Sequence, residues 1–142
     1  MGNKSIPNTD YDNVTTLSMR CATSVNTSSS IDAPVYCSAS MTAALVMTTT
    51  SIPIGTVLET QANNEGGARC LVGMYGSMFK GNAGGTVTPG TRICVASSLT
   101  TMTNVAGTLT GVTVVGVALT AASVSGEKFL YTATPYSGVV IA

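Results

Sequence analysis

Histidine and tryptophan are missing from this 142-residue chain, and charge is scarce. Without histidine, neither a Ser-His-Asp nor a Cys-His arrangement can be assembled, and the usual general base near neutral pH is lacking. Charged residues make up 8% of the chain, against roughly a quarter in ordinary globular proteins. Thr, Ser, Asn and Gly must therefore build much of the surface. A neutral hydroxyl or amide is cheaper to bury than an ion, so such a surface suits a protein destined to be covered by neighbours. Six Lys and Arg balance six Asp and Glu without any basic cluster. The electrostatic footprint of a nucleic-acid binder is lacking, and no direct nucleic-acid partner is expected.

Long apolar runs are also lacking. From Ile93 to Gly126 there is no charge, yet Thr, Ser, Asn and Gly interrupt the segment every few residues. A spanning helix needs roughly 20 predominantly apolar positions, so strands with hydroxyl-bearing faces are expected rather than a membrane segment. The opening residues, Met1-Gly2-Asn3-Lys4-Ser5-Ile6-Pro7, hold no apolar stretch of signal-peptide length, and export by that route is not expected.

Four cysteines, Cys21, Cys37, Cys70 and Cys94, are widely and unequally spaced, with no CxxC pair. A zinc site would need all four thiolates brought together, and no metal or cofactor is expected. Buried free thiols are expected, since reduced Cys packs as a small apolar residue. The alternative is a disulfide joining Cys21 to Cys37, or Cys70 to Cys94, in an oxidising setting.

The carboxylates Asp10, Asp12, Asp32, Glu59, Glu65 and Glu127 fall mostly in expected loops. A glycosidase-type pair from Glu59 and Glu127 is conceivable by residue type, but solvated turns are the expectation, and the chain is not expected to be an enzyme. Gly76-Ser77-Met78-Phe79-Lys80-Gly81 lacks the Gly-Lys-Ser/Thr ending of a phosphate loop and reads as a glycine-rich turn. Asp10-Tyr11-Asp12-Asn13 lacks the spaced ligands and terminal Glu of an EF-hand. The glycosylation triplets starting at Asn3, Asn13 and Asn26 are of the kind that chance supplies in an Asn- and Thr-rich chain.

What is present is β-forming. Residues 1–16 mix single apolar residues with turn formers and cannot fold alone, so they read as an extended arm that orders against a partner. Its few apolar anchors are Ile6, Tyr11 and Val14. Residues 17–142 read as a single β-domain, best defined over 52–142. Strands are expected at Leu17 to Val25 and from Pro34 toward Met41, with a brief helical option over Ala43 to Met47 that Thr48-Thr49-Thr50 and Pro53 would stop. Turn residues punctuate the second half at Asn63 to Gly67, Gly81 to Gly85, Asn104 to Gly107 and Ser125-Gly126. The expected fold class is all-β, a small β-barrel or β-sandwich with an extended N-terminal arm.

An internal repeat is also indicated. Ile52-Pro53-Ile54-Gly55-Thr56-Val57-Leu58 and Val87-Thr88-Pro89-Gly90-Thr91-Arg92-Ile93 each place proline, then Gly-Thr, before a strand. Each is followed by an apolar-Val-Gly-apolar sequence, Leu71 to Met74 and Val114 to Val117. The run Val112 to Leu119 puts Thr113, Val115, Val117 and Leu119 on one face and Val112, Val114, Gly116 and Ala118 on the other. Both faces are nearly apolar, as in a central strand. Gly116 and Ala118 indicate close packing, so a larger residue at Gly116 should disturb the fold more than one at Gly84, in an expected loop.

The ordered set Pro89-Gly90-Thr91-Arg92-Ile93-Cys94-Val95, then Val115-Gly116-Val117-Ala118-Leu119-Thr120-Ala121-Ala122, Gly126, and Phe129-Leu130-Tyr131 resembles the C-terminal half of small phage capsid cement, or head decoration, proteins. The likeness covers the chain from about Ile52 onward. It implies a structural virion protein on the capsid exterior that binds an assembled phage head, stabilises contacts between major capsid protein subunits and forms a homo-trimer. The rival expectation is a tail-fibre, baseplate or adhesion β-module binding host surface glycan. Sugar-binding faces usually present Trp or clustered Tyr, and this chain has no Trp and Tyr at 11, 36, 75, 131 and 136.

Overall fold

A computed structural model describes residues 15–22, 25, 28–46, 51–60, 69–76, 78–96, 98–105, 112–133 and 139–141. Of the expected arm only Thr15 and Thr16 are among these, and Ile6, Tyr11 and Val14 lie outside them. The described residues form strands β1 (Thr16–Cys21), β2 (Pro34–Ala39), β3 (Thr42–Leu45), β4 (Gly55–Thr60), β5 (Arg69–Met74), β6 (Met78–Asn82), β7 (Arg92–Val95), β8 (Met102–Asn104), β9 (Val112–Ala118), β10 (Lys128–Thr132) and β11 (Val139–Ile141), with one 3₁₀ turn at Ser28–Ser30. The protein is all-β.

Two local expectations change. Ala43, Ala44 and Leu45 are strand rather than helix, because β3 fills the gap between β1 and β2. A helix there would leave both neighbours' backbone groups without partners. The expected strand from Pro34 toward Met41 ends at Ala39, where Ser40 and Met41 turn the chain back, with Met41 at positive φ.

β1 to β5 close into a barrel in the order β1-β3-β2-β4-β5. Only β1 and β3 run parallel, through Arg20↔Thr42 and Cys21↔Ala43. Closure comes from the antiparallel ladder Thr16↔Gly73 to Arg20↔Arg69. The remaining strands form a sheet in the order β6-β10-β9-β7-β8, with β11 added to β9. Its edge strands meet at one parallel bridge, Ala83↔Met102. Strand for strand, β6 to β10 repeat the order and polarity of β1 to β5, including the single parallel contact.

The repetition reaches individual hydrogen bonds. The turn bond from Ala33 N–H to Ser30 C=O has its counterpart from Thr91 N–H to Thr88 C=O. Asp32 N–H to Val57 C=O corresponds to Gly90 N–H to Ala118 C=O, and Val57 N–H to Ala33 C=O corresponds to Ala118 N–H to Thr91 C=O. Val46 N–H to Pro34 C=O matches Val105 N–H to Arg92 C=O. Asp32 and Gly90 both have positive φ, at 66° and 81°. A duplication is therefore present, but of a whole five-stranded unit. The two Gly-Thr segments are not its equivalent copies: Gly55 lies inside β4, whereas Gly90 forms the Thr88-Pro89-Gly90-Thr91 turn ahead of β7.

The true partner of Gly55 is Gly116. A Cβ on Gly55 would run into the backbone carbonyl of Gly73, and one on Gly116 into that of Thr132. Gly73 and Thr132 sit at matching places, paired to Thr56 and Val117. Each glycine thus lets the fourth strand of its unit pass beneath a carbonyl of the fifth.

β9 is central, bonded to β7, β10 and β11. Its expected two-face alternation is broken, because pairing steps from Ile93↔Gly116 to Cys94↔Val114 and leaves Val115 as a bulge. Val115 and Ala118 consequently share the core, while Val117 and Leu119 are exposed.

The two units bury different side chains. Met19, Val35, Leu45, Val57, Cys70 and Val72 dominate the first core. Phe79, Ile93, Met102, Phe129 and Tyr131 dominate the second. Tyr75 and Tyr131 meet edge-on, with hydroxyls 3.1 Å apart. Val46, Tyr36 and Leu58 from the first unit pack on the second core, and Leu99 touches both.

Gly55→Ala and Gly116→Ala should each lower stability by about 1–3 kcal/mol, although alanine ordinarily improves a strand. Gly84 is not the neutral control that a loop position promised, because a Cβ there would lie 2.6 Å from Thr101 Oγ1 and 2.9 Å from Ala96 Cβ. Gly85, whose nearest such neighbour is Thr103 Oγ1 at 3.9 Å, is the control. Gly85→Ala should shift stability by no more than about 0.5 kcal/mol. Urea midpoints of the three variants decide.

Candidate interaction surface

Polar chemistry concentrates where the units join. β6 and β10 place Asn82 and Lys128 directly opposite each other. Lys128 Nζ donates to Asp32 Oδ2 at 2.8 Å and also to Asn82 Oδ1. Asn82 Nδ2 donates to the Ile31 carbonyl at 2.9 Å. Asp32 occupies the left-handed turn position, which Asp tolerates better than most residues. One turn of the first unit is thereby held by a cross-strand pair of the second.

The matching cross-strand position in the first unit holds Arg20 and Arg69, paired directly on β1 and β5. Both are exposed. Arg69 Nε donates to Ser18 Oγ at 3.1 Å, and its Nη2 donates to the Ser18 carbonyl at 3.2 Å. Ser18, Glu59, Arg69, Cys70 and Leu71 line a small cleft of about 130 Å³. Among the described residues the ion pair is Lys128 with Asp32, and neither arginine has a carboxylate partner.

The carboxylates considered as a catalytic pair lie on different units. Glu59 is on β4, opposite Leu71. Glu127 precedes β10 and accepts hydrogen bonds from the Ser123 and Val124 N–H groups, which hold its carboxyl below the usual range. Gly126, at φ 95°, completes that turn, as its sequence indicated. Met78 to Gly81 of the glycine-rich 76–81 segment belong to strand β6 rather than to a turn. Asp10, Asp12, Asn3, Asn13 and Asn26 lie outside the described residues. Among the described residues, no three His, Cys, Asp or Glu side chains group to hold a metal ion.

All four cysteines are free, with Cys70 and Cys94 buried, Cys21 half-buried and Cys37 exposed. The exposure of Cys37 departs from the expected buried thiols. Cys21 and Cys37 flank the intervening strand β3, both pairing with Ala43. Two strand spacings, about 9.5 Å, exceed the reach of a disulfide. Cys70 belongs to the first core, whereas Cys94 lies on β7 of the other unit. Burial and then the neighbouring Cys21 thiol push Cys70 up to about 12. Burial also raises Cys94.

No protein-family model matches the chain, and no curated protein does.

Two outcomes follow from this chemistry. With a thiol reagent at pH 8, Cys37 should react first, while Cys70 and Cys94 should react only once the protein unfolds; rapid loss of three or more thiols would contradict their placement. Lys128→Met should cost about 1 kcal/mol, a modest value because the Lys128 side chain is 43% exposed. Asp32→Gly, which keeps the turn as Gly90 does, should add little more in the double variant, as thermal melts of the cycle would show.

Proposed function

We propose that this protein is a structural component of a phage virion, bound to the outer surface of the assembled head and stabilising contacts between major capsid protein subunits, as a homo-trimer. The observation that carries this reading is the surface: a compact all-β body with few ions and with isolated apolar side chains at Ile52, Val124, Met41 and Leu119 held out to solvent. Covering such a surface removes little ionic hydration, and many weak contacts repeated by symmetry add up through effective concentration. In this reading Ile6, Tyr11 and Val14 anchor the arm on a neighbouring subunit.

Tyr75 and Tyr131 are buried against Phe79 and Phe129, which leaves Tyr36, half-buried, as the remaining described tyrosine. Among the described residues this leaves no exposed aromatic platform of the kind on which glycan binding commonly relies, which favours the head over the adhesion reading.

The expected result is that purified virions contain this protein in a copy number of the same order as the major capsid protein, measured by quantitative mass spectrometry of intact particles. A count typical of a tail component would overturn the assignment and support adhesion.

A further inference from the structure

The duplicated fold supplies its own template for a second site. In the second unit, the facing residues Asn82 and Lys128 hold the Ile31-Asp32 turn of the other unit. Arg20 and Arg69 occupy the same ladder position in the first unit, between strands whose pairing repeats residue for residue. Like charges directly opposite each other on adjacent strands destabilise a sheet. Among the described residues no carboxylate makes an ion pair with either arginine, although Glu59 lines the same cleft as Arg69. An anion bridging the two guanidiniums would remove that repulsion, and arginine's planar fork is suited to bidentate carboxylates.

We propose that Arg20 and Arg69, with Ser18 beside them, form a docking site for the Asp10-Tyr11-Asp12 segment of a second copy of this chain. Charge and spacing point to that occupant. Asp32 is taken by Lys128, Glu127 caps the Ser123 turn, and Glu59, in the cleft beside Arg69, makes no ion pair with it. Asp10 and Asp12 stand two residues apart. In an extended segment they face one side about 7 Å apart, close to the roughly 5 Å between directly paired strand residues. The corresponding turn of the second unit carries Gly90 in place of Asp32, so repeating the internal junction between copies would bring no carboxylate.

A second copy is favoured over the chain's own arm by direction. Thr15 still bonds Met74 N–H, so the described chain leaves the barrel at the end of β1 away from Arg20. The 14 residues before Thr15 span up to about 46 Å when extended, enough to reach a neighbour. This inference needs only a second copy and does not depend on a capsid.

The test is sedimentation velocity on the full chain over a range of concentrations, in 50 mM and 500 mM salt. The wild type should self-associate, more weakly in high salt. Arg20→Ser/Arg69→Ser and Asp10→Asn/Asp12→Asn should each weaken association at least tenfold. Combining Arg20→Asp/Arg69→Asp with Asp10→Arg/Asp12→Arg in one chain should restore it. Should an arginine variant fail to fold, the Asp10→Asn/Asp12→Asn chain, altered outside the barrel, decides alone. The inference is overturned by a wild type that stays monomeric, by association indifferent to Asp10 and Asp12, or by variants that change the melting temperature but not association, the signature of an arm bound to its own barrel. Virion copy number is untouched by any of these results, so the location on the head is tested separately, while a monomeric wild type would also count against the trimer.

Discussion

The architecture depends on one close approach made twice: the fourth strand of each unit slides under a carbonyl of the fifth with no room for a side chain. Gly55 and Gly116 are the residues at those points. A five-stranded ring is small, and its curvature forces neighbouring backbones together somewhere. The chain meets that demand by omitting a Cβ. Beside each glycine the same ladder repeats, with a turn ahead of the second strand, a bond from the turn to the fourth strand, and a parallel contact between the first and third.

Around this shared frame the two units fill equivalent positions with different side chains. Met19 and Ala43 of the first core stand where the second has Gly81 and Met102, so the methionine is on the first strand in one unit and on the third in the other. A Cβ on Gly81 would meet the Met102 methyl, which shows the volume exchange directly. Cys70 and Val72 give way to Phe129 and Tyr131. The first core is filled largely by aliphatics and the second adds Phe79, Phe129 and Tyr131, so the same backbone frame carries little sequence likeness. The turns differ as well: Asp32 offers a charge to the neighbouring unit and Gly90 offers none, so the junction runs one way.

That asymmetry connects the fold to its proposed role. The second unit's cross-strand pair is satisfied inside the chain, whereas the first unit's pair faces outward. A protein that joins larger arrays is served by an outward-facing charged pair of this kind on a sparsely charged surface, because a few localised charges set orientation while neutral contacts supply area. Burial raises the Cys70 and Cys94 thiols, and Cys21 cannot reach Cys37 across β3.

The all-β class, the turns at Pro89-Gly90 and Ser125-Gly126, the central place of Val112 to Ala118 and the tightness at Gly116 were legible in the residues, because turn chemistry and alternation are local. The duplication was only half legible. Gly55-Thr56 and Gly90-Thr91 look alike but do different work, while the genuine counterparts share almost no side chains. Backbone ladders place few demands on side-chain identity, so structural equivalence does not require sequence likeness. The strand at Ala43 to Leu45, the bulge at Val115 that exposes Val117, and the facing of Arg20 with Arg69 were decided by tertiary structure alone. Each depends on which distant strand lies alongside and in what register, and a shift of one residue would send every side chain to the opposite face.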